Sequence, residues 1–150
     1  MKVKHGTTNF KALEPFLKVV EENDGYAKFT AEGYMDLVIE KTWETDHDGN
    51  PIYSICHYGV LNGDLMRDPE MTFSVDWNAK TVLPLSFMND YMGFRMEYFV
   101  YANGKVKGYR PRWLHDGDDF LWMWGKNLKE QGFNPATYEA MSFEVYEWNI

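Results

Sequence analysis

The sequence predicts an α+β fold, with a mainly antiparallel sheet of about five to seven strands built from hairpins and two or three helices packed on one face. Several segments alternate apolar and polar residues with a period of two, and short turn-forming stretches separate them. Two other segments carry apolar residues at helical spacing. With 150 residues, of which 45% are apolar and 17% aromatic, the chain is expected to form one ring-rich core. We therefore predict a single domain over residues 1–150.

A first amphipathic helix is predicted from Thr8 to Glu22. Its apolar positions recur three and four residues apart, at Phe10, Leu13, Phe16, Leu17 and Val20. Thr8 is the expected N-cap, and Asn23-Asp24-Gly25 is the expected stop. Pro15 is unfavourable inside a helix, so the regular part is expected to start near Glu14, with the proline in its first turn.

A long hairpin is predicted after a short strand over residues 26–30. In its first strand, residues 34–43, one face carries Met35, Leu37, Ile39 and Trp43. Residues 46–51 form the turn, which is expected to expose Asp46 and Asp48 to solvent. The returning strand, residues 52–58, has mixed polarity on both faces, as in a central strand that is covered on both sides.

A second hairpin follows over residues 71–87. Residues 71–77 show the cleanest alternation in the chain, and Asn78-Ala79-Lys80 turns it back. The returning strand, residues 81–87, contains Pro84, which cannot donate a ladder hydrogen bond. That proline indicates an edge strand or a bulge.

A third hairpin is predicted after an irregular segment at residues 89–93. Its strands are residues 94–101 and 105–109. Between them lies Asn103-Gly104, and both residues tolerate the positive φ that a type I′ turn requires.

The period then changes, and a second helix is predicted over residues 116–131. Acids lie at its start and lysines near its end, and Gly132 follows. Asn134-Pro135 is typical of an N-cap followed by proline at the first helical position, which predicts a short helix to about Ala140. Residues 143–148 are predicted to add a last strand.

The charge of the chain narrows the class of partner. A formal net charge of -8 argues against direct binding to nucleic acid or to an anionic membrane surface. An acidic protein surface suits solubility, a basic protein partner or imitation of a phosphate backbone. Cys56 is the single cysteine, there is no leader-like N-terminus, and no apolar run approaches the roughly 18 residues of a membrane helix. We therefore expect a cytoplasmic protein.

The run from Asn62 to Met71 concentrates turn formers and charged residues, and it is predicted to be a loop between two strands. One interpretation is a hard-cation loop that uses Asp64, Asp68 and Glu70. A second is a tight turn in which Arg67 pairs with a neighbouring acid. A third is a loop that binds a partner.

Two further features are candidates for binding. Arg110 and Arg112 could hold a carboxylate or phosphate through paired N–H donors, or they could pair with the nearby acids Asp116, Asp118 and Asp119. Trp122 belongs to a helix too apolar to hide all its large side chains on one face. It is expected either to form an exposed patch for a partner or a second copy, or to lie under the C-terminal segment.

Common catalytic and cofactor-binding signatures are absent from the sequence. It has no Gly-rich phosphate loop, nucleophile elbow or metalloprotease motif, so we expect no cofactor. Cys56 and His57 are adjacent on a predicted strand and point to opposite faces, so they cannot act as a local nucleophile and base. His57 is expected to be a core histidine with a hydrogen-bond partner.

Several segments together resemble an uncharacterised domain family of bacterial plasmid, phage and conjugative-element proteins, mostly from gut Firmicutes. The resemblance rests on residues 33–40, 62–73, 89–93, 109–112 and 126–133, and most specifically on the string Asn-Gly-Asp-Leu-Met-Arg-Asp-Pro. It covers residues 33–133 and leaves 134–150 as a C-terminal extension. It implies a genomic context and no established activity.

This context and the acidic charge predict a non-enzymatic binding protein of a mobile element. We expect it to inhibit a host defence nuclease, of the Cas9 or restriction type, by protein–protein contact. The alternative is a small enzyme or ligand-binding domain that uses Asp64, Arg67, Asp68 and Glu70 together with Arg110 and Arg112. The oligomeric state stays open.

Overall fold

The computed structural model describes residues 1–141, so the strand predicted over residues 143–148 lies outside the described residues. The described part contains two helices and nine strands. Their bounds are α1 (Gly6–Glu22), β1 (Tyr26–Phe29), β2 (Leu37–Thr45), β3 (Pro51–Leu61), β4 (Asp64–Asp76), β5 (Thr81–Asn89), β6 (Phe94–Glu97), β7 (Phe99–Ala102), β8 (Lys105–Tyr109), α2 (Pro111–Glu130) and β9 (Tyr138–Glu139).

Seven of these strands form one antiparallel sheet, in the order β6-β5-β4-β3-β2-β1-β9. From β1 to β6 each strand pairs with the next along the chain, and β9 returns to pair with β1 at the other edge. Strands β7 and β8 form a separate hairpin. The α+β class and the antiparallel sheet built from hairpins are therefore confirmed.

Both helices pack against the sheet and form the core with one of its faces. The predicted apolar positions of α1 are all buried, as are Leu121, Trp124 and Leu128 of α2. They meet alternate residues of the central strands, such as Ile39, Ile55 and Phe73. The intervening residues of those strands, including Glu40, Cys56 and Glu70, point to the opposite face of the sheet.

Helix α1 is longer at its start than predicted. It begins at Gly6 with His5 as the N-cap residue, so Thr8 is not the cap and the regular helix does not wait for Glu14. Pro15 lies inside the helix, where its ring is exposed. Burial of Phe10, in the turns before the proline, favours a continuous helix because it removes a large ring from water.

Strand β2 differs from the prediction at both ends. It starts at Leu37, and Trp43 is 71% exposed instead of sharing the buried face. The register shifts between Lys41 and Thr45, and Trp43 adopts a φ of 65°. This bulge turns the indole away from the face that periodicity assigned to it. In the following turn, Asp46 is also buried, contrary to prediction, because its Oδ1 accepts the backbone N–H groups of Asp48 and Asn50.

The run from Asn62 to Met71 is mostly strand and not the predicted loop. Asn62 and Gly63, with φ of 52° and 83°, form the tight turn, and β4 begins at once with Asp64. Register explains the difference, since Leu61 pairs with Asp64 and Val60 with Leu65, so β3 and β4 continue to the turn itself. A local pattern of polar and turn-forming residues does not reveal such a ladder.

The later hairpins are confirmed with one change. Pro84 lies next to a register shift between β4 and β5, so the bulge interpretation is confirmed. β5 is not an edge strand as a whole, but its pairing with β6 begins only at Ser86. The strand predicted over residues 94–101 is split at Tyr98. There the chain leaves the large sheet, and Tyr98 donates its N–H to Leu85 and accepts from Arg110. Asn103-Gly104 is the β7–β8 turn, as predicted.

Helix α2 begins at Pro111 and not near residue 116, with Arg110 as the N-cap residue. The predicted short helix near residues 135–140 is absent. Instead, Asn134 caps a turn by accepting the N–H of Ala136, and β9 follows. The same Asn-Pro signal that starts a helix here starts a turn that leads into an edge strand.

No helix within residues 1–141 is long and apolar enough to cross a membrane.

Candidate binding surface

Arg67 forms the best-defined ion pair of the predicted site. Its Nε lies 2.9 Å from Oδ2 of Asp90 and its Nη2 lies 3.0 Å from Oδ1, while its backbone N–H donates to Oδ2 at 2.8 Å. Asp90 belongs to the turn between β5 and β6, so the pair fastens this turn to β4. These hydrogen bonds hold the pKa of Asp90 below its ordinary value. Arg67 therefore pairs with an acid that is close in space but distant in sequence.

The three acids of the same run do not converge. The ladder shifts register between Cys56 and Tyr58, so Glu70 and Arg67 project from one face of β4 while Asp64 projects from the other. Asp68 accepts a hydrogen bond from Asn89 at 3.0 Å. A cation loop that uses Asp64, Asp68 and Glu70 is therefore not formed by this strand.

The two arginines at the start of α2 are Arg110 and Arg112, and the contacts described for Arg110 are with residues outside the run from Asn62 to Met71. Arg110 donates to the backbone oxygen of Glu97 at 2.8 Å, and its guanidinium lies 5.0 Å from the centre of the Trp113 ring. Arg112 is exposed in the first turn of the helix. Among the described ion pairs, none joins these arginines to Asp116, Asp118 or Asp119, and the latter two acids contact His5 instead.

An apolar groove lies between α2 and the β5–β6 hairpin. It has a volume of about 320 Å³ and an aromatic lining of Phe87, Phe94, Met96, Tyr98, Trp113 and Phe120. At the floor of this groove Gly117 of α2 lies against the Tyr98 ring. A Cβ at this position would lie only 2.6 Å from Cε2 of Tyr98. The groove therefore requires glycine where the helix passes over Tyr98.

A second depression of about 140 Å³ continues the groove along the helix. It shares Phe120 with the first and is also bordered by Pro69 and Met123. Phe94, Trp113 and Met123 are 42%, 38% and 44% exposed. The two depressions, which we call the α2 groove, form a contiguous apolar surface of the kind found at protein interaction sites.

The titratable groups of the α2 groove are not arranged for catalysis. Burial, and then the charge of Asp116, raise the pKa of the Tyr98 hydroxyl. His57 borders the second depression, and burial lowers its pKa. Both of its ring nitrogens are already hydrogen-bonded, to the backbone oxygens of Met35 and Asp36 and to the indole N–H of Trp124. The prediction of a hydrogen-bonded histidine is confirmed, and the groove holds no free base there.

Cys56 is equally unsuited to nucleophilic chemistry. Its side chain is buried on the sheet face opposite the helices, where burial raises the pKa of the thiol to about 12. A thiol with that pKa is almost entirely protonated at neutral pH, and only the thiolate is a good nucleophile. On the same face, burial and then the charge of Glu70 raise the pKa of Glu40.

A larger, more polar cavity of about 370 Å³ lies on the side of the sheet away from the α2 groove. Its lining includes Thr42, Glu44, Thr72, Ser86, Arg95, Glu97 and Tyr101. Arg95 and Glu97 pair with each other at 2.7 Å, and Thr72 and Ser86 share a hydroxyl hydrogen bond. The polar groups of this cavity thus largely satisfy one another.

Trp122 lies on a different side of α2 from the α2 groove. It is 37% exposed, its ring stacks on His5 at 5.1 Å, and the ammonium of Lys126 lies 4.9 Å from the ring. Trp122 is therefore partly exposed, and most of the C-terminal segment that was expected to be able to cover it lies outside the described residues.

The residues of the α2 groove were not predicted from the sequence. Trp113, Phe120 and Trp124 follow one another at helical spacing, which was a usable signal. It was missed because Trp113 precedes the predicted start of the helix. The residues that β5 and β6 contribute could not be found by periodicity, since it does not show which strand a helix covers.

Comparison with known proteins gives one result. A scan of protein-family models matches residues 8–134 to a domain of unknown function, DUF6908. Comparison with curated proteins finds no match, and comparison with solved structures finds none either. The matched region starts in α1, contains the whole α2 groove and ends before β9. It covers most of the chain, and the protein therefore belongs to the DUF6908 family.

Proposed function

We propose that this protein is a non-enzymatic binding protein that binds another protein through the α2 groove. The observation that supports this proposal is a contiguous, partly exposed aromatic surface that no other part of the described chain covers. Large exposed apolar surfaces of this kind are uncommon on monomeric proteins unless they bind something.

The dimensions of the α2 groove suit an inserted side chain. Its first depression is at the lower end of ligand-pocket volumes, enough for an aromatic or large aliphatic anchor. Burying such an anchor removes roughly 150–250 Å² from water. At about 25 cal/mol per Å², that surface contributes roughly 4–6 kcal/mol before the entropic costs of association. We therefore expect Trp113 and Phe94 to contribute most of the binding free energy.

The acidic charge of this protein indicates which charged residues a partner would carry beside its apolar anchor. Asp116 is the acid in the groove lining, and the chain as a whole carries a charge of -8. A partner that places Lys or Arg beside its apolar anchor would gain both contacts. Electrostatic attraction would raise its association rate at low salt, and salt would reduce it.

Within this proposal, the partner class is a host defence nuclease of the Cas9 or restriction type, which acts in the cytoplasm. Two features support it: the acidic charge and the resemblance to proteins of mobile elements. Such nucleases hold nucleic acid in basic channels. The acids occupy several separate places, including α2, the Glu40–Glu70 face and a small pocket around Asp76, which is not the contiguous acidic face that imitation of a phosphate backbone would need. The proposal therefore relies on the apolar groove for affinity and on the acids only for long-range attraction.

We do not propose an active site at Asp64, Arg67, Asp68 and Glu70. Arg67 is already paired with Asp90, and the contacts of Arg110 lead to Glu97 instead of to β4. Binding is thus better supported than catalysis.

The proposal is tested by affinity capture from host lysate at low and high salt, followed by titration with the retained protein and, if it is a nuclease, a cleavage assay. The bait proteins are the wild type, Trp113→Ala and the matched control Trp43→Ala, since Trp43 is also exposed but lies outside the α2 groove. We expect Trp113→Ala to raise Kd about 30-fold, because truncating a central aromatic residue costs about 2 kcal/mol. Trp43→Ala should bind like the wild type.

Two results would overturn the proposal. One is equal capture by Trp113→Ala and the wild type; the other is equal loss in both tryptophan variants. A retained protein that has no nuclease activity would overturn only the partner class.

A further inference from the structure

Four titratable side chains lie close together where the start of α1 meets α2. Nε2 of His5 lies 2.8 Å from Oδ1 of Asp119, and donor atoms of His5, Asp118 and Asp119 all lie within 4.8 Å of one another. Nε2 of His115 lies 3.3 Å from the other oxygen of Asp119. The donor atoms of His5, Asp118 and Asp119 therefore converge on one point, and His115 lies beside this group, on the other oxygen of Asp119.

The surrounding structure holds these side chains in place. The backbone N–H of His5 donates to Oδ2 of Asp118 at 2.9 Å, which ties the start of α1 to the middle of α2. The His5 ring stacks on Trp122 with an angle of 15° between the planes. Ligands held in this way lose little freedom when they bind an ion.

Asp118 is unusual because it is a carboxylate that is only 1% exposed. Its described hydrogen-bond donors are the His5 backbone and a long contact of 3.5 Å from Asn9. Asp119, the next residue along the helix, places a second carboxylate beside it. A bound cation would compensate both carboxylates.

We propose that His5, Asp118, Asp119 and His115 form a binding site for a divalent transition metal, with zinc as the best match. Imidazole suits zinc and its neighbours in the first transition row, whereas calcium and magnesium prefer sites made only of oxygen. Tetrahedral zinc takes four nitrogen or oxygen ligands at about 2.0–2.2 Å.

His5, Asp118 and Asp119 need only small adjustments to bind an ion, whereas His115 has to move towards them to become the fourth ligand. Two ligands on one tetrahedral zinc lie about 3.3 Å apart, so His5 and Asp119 must separate by about half an ångström. His115 lies 3.3 Å from Oδ2 of Asp119, the oxygen that His5 does not contact. Because His115 and Asp119 are both half-exposed, solvent can reach the ion and the two side chains can adjust. The bound ion would fasten the start of α1 to α2, on the side of α2 that carries Trp122.

The test uses the full chain without a polyhistidine tag, treated with chelator and titrated with Zn²⁺ by calorimetry at pH 7.5. We expect one equivalent to bind and Tm to rise, because the ion binds the folded state. Co²⁺ should give the visible absorption of a tetrahedral site.

Three variants locate the site. His5→Gln and His115→Ala should each weaken Zn²⁺ binding by more than about tenfold, since even the outer-shell partners of metal ligands contribute about that much. His115 is exposed, so its removal leaves folding intact. The control is His47→Ala, because His47 also lies next to an acid, Asp48, but in the turn between β2 and β3.

The proposal fails if wild-type protein binds no stoichiometric Zn²⁺ or binds Mg²⁺ or Ca²⁺ in preference. It fails also if His115→Ala and His47→Ala behave alike. It does not depend on the α2 groove, so loss of one site leaves the other standing.

Discussion

At the scale of single residues, His57 shows how a side chain with catalytic potential is used for structure. The indole N–H of Trp124 can only donate, so Nε2 of His57 accepts, and Nδ1 carries the proton that faces Met35 and Asp36. A second proton on Nε2 would remove the acceptor of Trp124. Neutral histidine is therefore the form that this packing favours.

The pH dependence of stability follows from this arrangement. Burial lowers the pKa of His57 below its ordinary value of 6.5, so the folded protein binds fewer protons here than the unfolded chain. Stability should then fall as pH drops through 6.5 towards the folded-state pKa. Urea unfolding of the wild type and His57→Gln between pH 7.5 and 5 should show a steeper loss for the wild type. Parallel curves would contradict the assignment of a neutral His57.

The sequence indicated the roles of some residues but not their partners. A hydrogen-bonded His57 and a paired Arg67 follow from residue type and local pattern. Asp90 as the partner of Arg67 does not, because the two are joined only when β5 brings its final turn beside β4. The contacts of His5 with Asp118 and Asp119 were missed for the same reason, since more than 100 residues separate them.

At the scale of elements, α1 shows tertiary packing overriding local preference. Pro15 lacks the N–H that would bond to the carbonyl of Lys11, yet the helix continues through it. The apolar residues on both sides of the proline are buried against the sheet. This packing is why the prediction placed the start of the helix too late.

The substitution Pro15→Ala should stabilise the protein. A proline inside a helix costs about 3 kcal/mol. Its restriction of the unfolded chain returns up to about 1 kcal/mol. Since the ring is exposed and little packing is lost, the net gain in the free energy of unfolding should be about 2 kcal/mol. Urea denaturation measures it, with Lys11→Ala as a control for surface helix propensity. A less stable Pro15→Ala protein would show that the helix is adapted to the proline.

The α2 groove depends on two elements, because it forms only where α2 and the β5–β6 hairpin meet. The pattern of α2 indicated which of its residues share a face. The wall made by Phe87, Phe94 and Met96 depends on β6 being the edge strand that lies beside this helix. Strand order is set by the pairing of the whole sheet, and local periodicity carries no information about it.

At the scale of the whole molecule, Cys56 reports on global stability. It lies in β3, with β2 and β4 on either side, and it is the one cysteine of the chain. Its thiol is buried among side chains of the central strands.

The labelling rate of Cys56 should therefore follow global unfolding. With a pKa of about 12, the fraction of thiolate at pH 8 is about a thousandfold lower than in the unfolded chain, and burial slows the reaction further. A thiol reagent should react rapidly in concentrated urea and hardly at all without it, and the labelling midpoint should match the unfolding midpoint seen by tryptophan fluorescence. Rapid labelling of the native protein would instead show local opening of β3.

Elements with local pairing partners were predicted from the sequence better than elements whose partners are distant along the chain. Seven strands and two helices were predicted in approximately the right places. The strands pair with near neighbours in sequence, and the helices carry apolar residues at helical spacing. Strand β9 was predicted as a helix, since its partner β1 lies more than 100 residues away and its residues show no period of two.

This connectivity has a consequence for the order of folding. The strands from β1 to β6 form a meander in which each pairing closes a short loop, and such contacts form early because little chain entropy is lost. Lys28 and Glu139, which join β1 to β9, close the longest loop in the sheet. During synthesis the six-strand meander can therefore assemble before the ribosome has released β9, which attaches last to an already formed edge.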